Sequence, residues 1–272
     1  VSSAARLSKE LHTPQLSEVL YGLKQKVYLL KNGKTVDLAG TAGLGQNGYE
    51  AYKATPVAAK LLGAGLNDLT NSVKSNDKVR LIYCEGENSE GDSKIYQTLF
   101  PKYNDVRNLF ISAGGISGVE SAFHLGKELA STLLGPNAEV LCIVDRSGEI
   151  VPCPGEVAVT DGGRAFSDEV REKWMRCTDP DGNARMLGRR EIENYLYDPA
   201  VLDEYDSEWR IKLDPPLPHN FDYKLHNVKD LISKKLPDVR PMELVRKLAD
   251  KGTLDIGEIH DELKASIFDY PL

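Results

Sequence analysis

Acidic residues follow directly after two short apolar segments of this 272-residue sequence. The segment VRLIYC (79–84) runs into Glu85, and the segment EVLCIV (139–144) runs into Asp145. Both segments are typical of buried strands. A carboxylate at the tip of such a strand is costly unless a metal, a cation or hydrogen bonds compensate its charge. If the two strands share a sheet, their tips form an acidic pocket with the oxygen ligands that Mg²⁺ or Mn²⁺ prefers.

Further oxygen ligands flank the two strand tips. If the chain stays extended past Asp145, alternation places Ser147 and Glu149 on the same face as Asp145. The segment EGENSEGD adds three acids near the first tip, namely Glu87, Glu90 and Asp92. On spacing alone the alternative stays open that such acids only solvate loops or cap helices.

A third polar segment, RREIENYLYDPAVLDEY (189–205), predicts a helix that is ended or interrupted near its proline. On this helix Arg189 lies four residues before Glu193, and Ile192 and Leu196 form an apolar stripe. The same pattern also fits an amphipathic helix whose surface ion pairs have only a structural role.

The elements around these residues predict an α/β fold. Apolar strands at 79–84, 107–112 and 139–144 alternate with helices predicted at 93–100 and 117–134. Such alternation predicts a parallel sheet with right-handed crossovers. In a sheet of this kind, ligand chemistry collects at the carboxyl ends of the strands.

The remaining segments are less regular. Asn32-Gly33 predicts a hairpin turn between two strands, and residues 49–75 predict a helix interrupted by a proline. Residues 145–185 are loop-rich, and the sequence from residue 226 onward predicts a helical C-terminal layer.

Composition and charge exclude several classes of protein. Hydrophobic residues make up 41% and charged residues 28% of the chain, as in ordinary soluble globular proteins. No apolar run reaches the roughly 18 residues needed to span a bilayer, and nothing resembles a signal peptide, so no membrane partner is expected. The formal net charge of -7 gives no global attraction to nucleic acid. A nucleic-acid partner would have to be held by local basic patches and by metal ions.

Other residues and motifs exclude further kinds of binding site. Cys84 and Cys142 lie inside apolar strand segments and are expected to be reduced core residues of a cytoplasmic protein. The five histidines show no zinc spacing. A G-x-G-x-x-G match at residues 43–48 is followed by Pro56, which breaks the required helix, so no dinucleotide site is expected. The chain lacks a G-x-x-x-x-G-K-[ST] phosphate loop and is not expected to hydrolyse ATP by itself.

The order of three segments resembles a known nuclease family. LIYCEG followed by GDSKIY, then LCIVDRS, then RREIENYLYDPAVL looks like the Toprim domain of the OLD (overcoming lysogenization defect) family, over roughly residues 79–235. The resemblance implies a Toprim-type parallel sheet flanked by helices, with an added helical layer. It also implies a junction at residues 1–75, which is either the tail of a preceding ATPase region or a helical element. A Toprim core follows at 76–200, with a loop-rich insertion after the third strand, and a mainly helical part at 201–272 completes the site.

The family also implies partners. Its Toprim module follows an ATPase domain, and this chain begins with Val1 rather than Met. We therefore expect a fragment of a longer protein whose ATPase region precedes residues 76–272. DNA is the expected substrate, and homo-oligomerisation is left open.

The resemblance assigns roles to individual residues. Glu85 matches the family's strand-end glutamate, Asp92 the acid that follows it, and Asp145 the first acid of the DxD-like motif. Ser147 stands where many Toprim domains have a second aspartate, which shifts interest to Glu149. The expected metal ligands are Glu85, Asp92, Asp145, Ser147, Glu149 and Glu193, with Glu191 beside Glu193 in the REIEN segment.

Basic residues are expected to contact the substrate. Lys229 is expected to face the scissile phosphate and to act with Glu85 and Asp145, ahead of Lys234 and Lys224. Nucleic-acid contacts are expected from Arg146, Arg189, Arg190 and Lys234. The basic surplus of residues 145–190 also includes Arg164, although many of these arginines would instead pair with neighbouring acids.

The implied chemistry is phosphodiester hydrolysis. Two Mg²⁺ or Mn²⁺ ions about 4 Å apart activate a water and stabilise the leaving oxygen. A lysine offsets the charge that develops on the phosphate, and Ca²⁺ is expected to bind without supporting cleavage. Without ions, closely set carboxylates should have raised pKa values. The alternatives are a Toprim-type ribonuclease and a non-catalytic module that binds nucleic acid or a partner.

Overall fold

In the computed structural model, the hairpin near the beginning of the chain is the first element among the described residues. The structure describes residues 28–31, 34–37, 78–86, 91–134, 138–206, 208–213, 218–237, 239–250 and 258–269. Strands β1 (Tyr28–Lys31) and β2 (Lys34–Asp37) pair antiparallel on either side of the predicted turn, which confirms the hairpin. The predicted helix over 49–75, the glycine-rich match at 43–48, and the acids Glu87 and Glu90 lie outside the described residues.

Five strands form the central sheet, in the order β4-β5-β3-β6-β9. They are β3 (Val79–Cys84), β4 (Lys102–Tyr103), β5 (Val106–Ser112), β6 (Glu139–Val144) and β9 (Ala184–Met186). β6 and β9 are parallel, whereas β4 and β5 are antiparallel. The N–H of Arg107 bonds to Lys78 and that of Ala113 to Cys84, so β5 and β3 advance in the same direction. The prediction of a mixed α/β protein with a mostly parallel sheet is confirmed.

Two helices flank the sheet strands close to their predicted positions. Helices α1 (Asp92–Leu99) and α2 (Ile116–Leu134) each begin one residue earlier than the sequence predicts. On α2, Val119 and Phe123 lie four residues apart and are fully buried, as the helical spacing predicts. Strands β3 and β6 have the predicted bounds.

The segment predicted to be loop-rich, 145–185, contains more regular structure than expected. It holds the hairpin strands β7 (Glu149–Ile150) and β8 (Val159–Thr160), and then helix α3 (Asp168–Thr178) before β9. The Ser167 side chain caps α3 by accepting the N–H of Val170, and Trp174 is buried on the inner face of α3. Because many residues of α3 are charged, the sequence pattern does not predict a helix with this narrow apolar face.

The helix predicted over 189–205 is wrong in its first part. Only the single turn α4 (Glu193–Leu196) and helix α5 (Pro199–Tyr205) form. The backbone N–H of Arg189 bonds to the Tyr195 hydroxyl, and that of Arg190 bonds to the Lys224 carbonyl. Because these N–H groups bond to partners outside a helix, residues 189–190 are not helical. The predicted helical spacing therefore does not place Arg189 beside Glu193.

A helical C-terminal part follows, as predicted. Its elements are α6 (Trp209–Lys212), α7 (Lys229–Lys235), α8 (Pro241–Asp250), α9 (Glu258–Lys264) and a π-helical turn (Ala265–Asp269). Apolar side chains from α5 to α8, among them Leu202, Trp209, Ile232 and Leu244, form one buried cluster. α8 also packs against α1.

Two thiols are confirmed as free and buried, namely those of Cys84 and Cys142. A disulfide joins Cys153 to Cys177, with Cα atoms 5.3 Å apart. The sequence shows no CxxC pairing and did not predict this bond. Among the described residues, no helix combines the length and the apolar character needed to cross a membrane.

The described residues divide into two compact units. One comprises those up to Ile82 together with Lys102–Ile111 and Glu120–Val140, and the other comprises Tyr83–Pro101, Ser112–Val119 and the chain from Leu141 onward. Every described residue predicted to bind metal or to act on the phosphate belongs to the second unit. The predicted ranges 1–75, 76–200 and 201–272 stay predictions.

Candidate metal centre

The tips of β3 and β6 are joined by a hydrogen bond. The backbone N–H of Asp145 donates to Oε1 of Glu85 at 2.8 Å. Both acids are half-buried, since each directly follows a strand whose last residue is buried. The structure therefore brings together the two acids that the sequence singles out, although 60 positions separate them.

Asp92 joins these two acids from the first turn of α1. After Glu85 the chain turns at Gly86, where a φ of +121° favours glycine. Gly86 and Gly114 exchange backbone hydrogen bonds of 3.0 Å, which ties the loop after β3 to the loop after β5. Asp92 acts electrostatically on both Glu85 and Asp145.

The REIEN segment brings two more acids to the cluster. The N–H of Arg146 donates to the carbonyl of Arg190 at 2.7 Å, so this segment lies along the chain that leaves β6. Glu191 accepts the Ser147 hydroxyl at 3.3 Å, and Glu193 is almost fully buried. Both glutamates act on Asp145. We call the five acids Glu85, Asp92, Asp145, Glu191 and Glu193 the acidic cluster.

Burial and mutual repulsion raise the pKa values of four of these acids. The pKa of Glu85 is raised to about 7, mainly by burial and also by the charges of Asp92 and Glu191. The hydrogen bond from the Asp145 N–H acts in the opposite direction and lowers this pKa. Burial and then Glu193 raise the pKa of Asp92 to about 7. The pKa of Asp145 lies well above its usual value for the same reasons, and that of Glu191 is also raised.

Lys229 is a cation in contact with this cluster, as is Arg190, which pairs with Glu191. Lys229 is the first residue of α7, and its Nζ lies 2.6 Å from Oε1 of Glu193. Burial alone would lower the pKa of Lys229, but Glu193, Asp92 and Glu191 outweigh burial and raise it. About half of the Lys229 side chain stays exposed, and its raised pKa keeps the ammonium group charged.

The chemistry of the donor set fits hard divalent ions. All five members of the acidic cluster offer carboxylate oxygens, which Mg²⁺ and Mn²⁺ prefer. Within the described part of the chain, no three His, Cys, Asp or Glu side chains stand at the spacing of a formed metal cage. The five acids of the acidic cluster are the candidate ligands because they offer carboxylate oxygens and because their charges act on one another.

Two predicted ligands after Asp145 have different surroundings. Ser147 lies beside Glu191, as its hydrogen bond shows. Glu149 is exposed at the start of β7, where it pairs with Thr160, and it is not among the acids that act on Asp145. The expected alternation fails because Gly148, with a φ of +97°, turns the chain before Glu149.

The three arginines predicted to contact nucleic acid are buried and have internal partners. Arg146 binds the carbonyl of Gly188 at 2.8 Å and the carboxylate of Asp168 at 2.9 Å. Arg189 bridges Asp198 and Glu262, at 2.6 and 2.8 Å. Arg190 pairs with Asp161 and with Glu191. Contact with nucleic acid stays a prediction for these residues, and it would require them to leave these partners.

The remaining basic candidates are exposed. Lys234 lies in the last turn of α7, and the Nζ of Lys224 is 3.8 Å from Glu262. His226 lies three residues before Lys229, and its Nδ1 accepts the backbone N–H of Asp222 at 2.9 Å.

Sequence reasoning missed two residues that hold this region together. Asn194 is fully buried, and its side-chain amide donates to the carbonyls of Tyr223 and His226. Asp161 pairs with Arg190 from a turn in the segment predicted to be loop-rich. The Asp-Gly-Gly sequence at 161–163 was a signal for that turn, whereas no local pattern in the sequence identifies the partners of Asn194.

Comparisons with models of protein families, with curated proteins and with solved structures found no match to this chain.

Proposed function

We propose that this chain is a Toprim-type, divalent-metal-dependent nuclease that hydrolyses DNA phosphodiester bonds. The observation that carries the proposal is the acidic cluster at the ends of two neighbouring strands, with the half-exposed side chain of Lys229 beside it. Five acids are costly to keep together where they are partly buried, and a bound cation is the simplest compensation. The mostly parallel sheet and its flanking helices are compatible with the Toprim fold.

Glu85, Asp92, Asp145, Glu191 and Glu193 would hold the ions. When bound, two divalent ions supply an activated water and stabilise the leaving oxygen. The carboxylates would position the ions, and the hydrogen bond from the Asp145 N–H fixes one oxygen of Glu85.

Lys229 has a separate task in this proposal. Its ammonium group neutralises Glu193 in the absence of substrate. Because half of the side chain is exposed, it can also reach a phosphate that approaches the cluster. A fixed positive charge there stabilises the negative charge that develops on the phosphate oxygens.

The test is cleavage of supercoiled plasmid by the purified chain with Mg²⁺ or Mn²⁺. We expect nicked or linear product that EDTA suppresses, and Asp145→Asn and Glu85→Gln should reduce the rate at least 100-fold. Glu169→Gln is a matched control because Glu169 is an exposed acid of α3. Equal cleavage by wild type and Asp145→Asn would point to a contaminating nuclease and refute the site.

Two other functions remain as outcomes of the same experiment. A ribonuclease would cut structured RNA faster than duplex or single-stranded DNA under the same conditions. A non-catalytic module would bind nucleic acid or a partner without cutting at any metal concentration, and calorimetry would detect no heat of metal binding.

A further inference from the structure

A tight turn at residues 161–164 contacts the chain segments that carry Glu191 and Lys229. The Asp161 carboxylate accepts the N–H of Gly163 at 3.0 Å, and the carbonyl of Asp161 accepts the N–H of Arg164 at 3.0 Å. Gly162 and Gly163 have φ angles of +57° and +88°, which glycine adopts without strain. These hydrogen bonds therefore fix the backbone of Arg164.

This turn is fixed to both chain segments that carry the site. The Asp161 carboxylate pairs with Arg190, which directly precedes Glu191 of the acidic cluster. On the other side, Arg164 forms an antiparallel bridge with His226, three residues before Lys229. The N–H of Ala165 strengthens this contact by bonding to the carbonyl of Leu225 at 2.9 Å. Arg164 is therefore positioned relative to the cluster by two independent attachments.

The side chain of Arg164 differs from those of the buried arginines nearby. Arg146, Arg189 and Arg190 are each less than a tenth exposed and form ion pairs within the protein. Arg164 is exposed, and within the described part of the chain it has no ion-pair partner. In a chain with 41 acids and 34 lysines and arginines, an exposed guanidinium without an ion-pair partner is available to an anionic ligand. Its turn is bonded to the chain segments that carry Glu191 and Lys229.

We propose that Arg164 binds a backbone phosphate of the DNA strand, next to the phosphate that is cleaved. This inference rests on the proposed function, since it deepens the assignment of the substrate. A guanidinium can bind two phosphate oxygens at once, and it keeps its charge at any physiological pH. Arg164 thereby supplies the local attraction that the net charge of -7 does not provide.

The experiment is a binding titration of the full chain with a fluorescein-labelled DNA duplex, in Ca²⁺ so that bound DNA is not cut. Arg164→Gln should weaken binding roughly 3- to 10-fold near 0.1 M salt. It should also reduce the slope of log K against log salt by about 0.9, which is the loss of one phosphate contact. Arg164→Lys should restore that slope.

Arg176→Gln is the matched control, because Arg176 is an exposed arginine at the end of α3. It should leave both affinity and slope unchanged. Unchanged affinity in Arg164→Gln, or an equal loss in Arg176→Gln, would overturn the inference. Thermal unfolding of Arg164→Gln should match wild type, since the side chain is exposed.

Failure of the inference differs from failure of the proposed function. If wild type cuts DNA and Arg164→Gln cuts it with unchanged KM, only the inference fails. If wild type cuts no nucleic acid but Arg164→Gln still loses DNA binding, the nuclease proposal fails and the phosphate contact stands. Binding of RNA but not of DNA would overturn the substrate assignment.

Discussion

The backbone N–H of Asp145 donates a hydrogen bond to the Glu85 carboxylate, and this bond joins two strand tips that both carry acids. The bond lowers the pKa of Glu85, yet burial and the charges of Asp92 and Glu191 outweigh it. The pKa of Asp145 is raised in turn by burial and by Glu85. The two acids are therefore held close together although the charge of Glu85 disfavours ionisation of Asp145.

Removing one of these charges should stabilise the metal-free protein. We expect Asp145→Asn to unfold at a higher temperature than wild type in EDTA at pH 8, because it relieves repulsion within the acidic cluster. Each kcal/mol gained should raise Tm by about 2–4 °C in a chain of this size. Differential scanning fluorimetry measures the change, and added Mn²⁺ should then stabilise wild type more than the variant. A lower Tm for Asp145→Asn in EDTA would contradict the repulsion.

The stability of the metal-free protein should decrease as pH rises from about 4 to 7. Unfolded, Glu85 and Asp92 release their protons at their ordinary values of 4.5 and 3.8, whereas in the folded protein they hold them up to about 7. Between these values the folded state binds more protons, so the free energy of unfolding falls with pH and levels off above about 7. We expect a loss of roughly 3–4 kcal/mol for each of the two acids across this window.

Urea unfolding at several pH values in EDTA measures this dependence. The double variant Glu85→Gln, Asp92→Asn lacks both titrating groups and should show a flatter profile, while the histidines contribute equally to both proteins. Parallel profiles for wild type and the double variant would show that these acids have ordinary pKa values.

The anchors of the site could be predicted from local sequence. Glu85 and Asp145 end apolar segments whose composition indicates buried strands, and parallel strands bring their carboxyl ends to one edge. Lys229 came from the family resemblance, because nothing in its own segment distinguishes it from Lys234. Its contact with Glu193 depends on how α7 packs, which is a tertiary property.

The rest of the site depends on partners that are distant in sequence. The REIEN segment has a helical pattern, but its first residues bond to Lys224 and to the Tyr195 hydroxyl, so tertiary contacts override the pattern. Arg189 lies 73 residues from Glu262, and spacing cannot reveal such a pair. The predicted position of Glu149 on the same face as Asp145 is wrong, because Gly148 has a positive φ and turns the chain before Glu149.

Replacing Lys229 should separate cleavage from metal binding. Lys229→Gln removes the cation that competes with divalent ions for Glu193, so Mn²⁺ should bind at least as tightly as it binds to wild type. Cleavage should nevertheless fall about 100- to 1000-fold, because a charge that stabilises the transition state is lost. Calorimetry and plasmid cleavage measure the two effects, with Lys102→Gln as a control at an exposed position of β4. Weaker metal binding with full cleavage would show that Lys229 supports metal binding and does not stabilise the transition state.

Asn194 should act as a positioning residue for Lys229. Its amide holds the carbonyls of Tyr223 and His226, which precede Lys229, while its neighbour Glu193 holds the Lys229 ammonium group. Asn194→Ala removes both amide bonds and should lower the free energy of unfolding by about 1–3 kcal/mol. It should also reduce kcat at least 10-fold with little change in KM, because Lys229 loses its fixed position.

A matched variant separates this role of Asn194 from a general loss of stability. Asn108 is also fully buried and accepts a side-chain hydrogen bond from Arg80, but it belongs to the other compact unit. Asn108→Ala should lose similar stability and keep kcat, as measured by urea unfolding and plasmid cleavage on the same preparations. If the two variants lose kcat equally, Asn194 only stabilises the fold. If Asn194→Ala alone loses kcat, and Asn194→Gln recovers part of it, the amide positions Lys229.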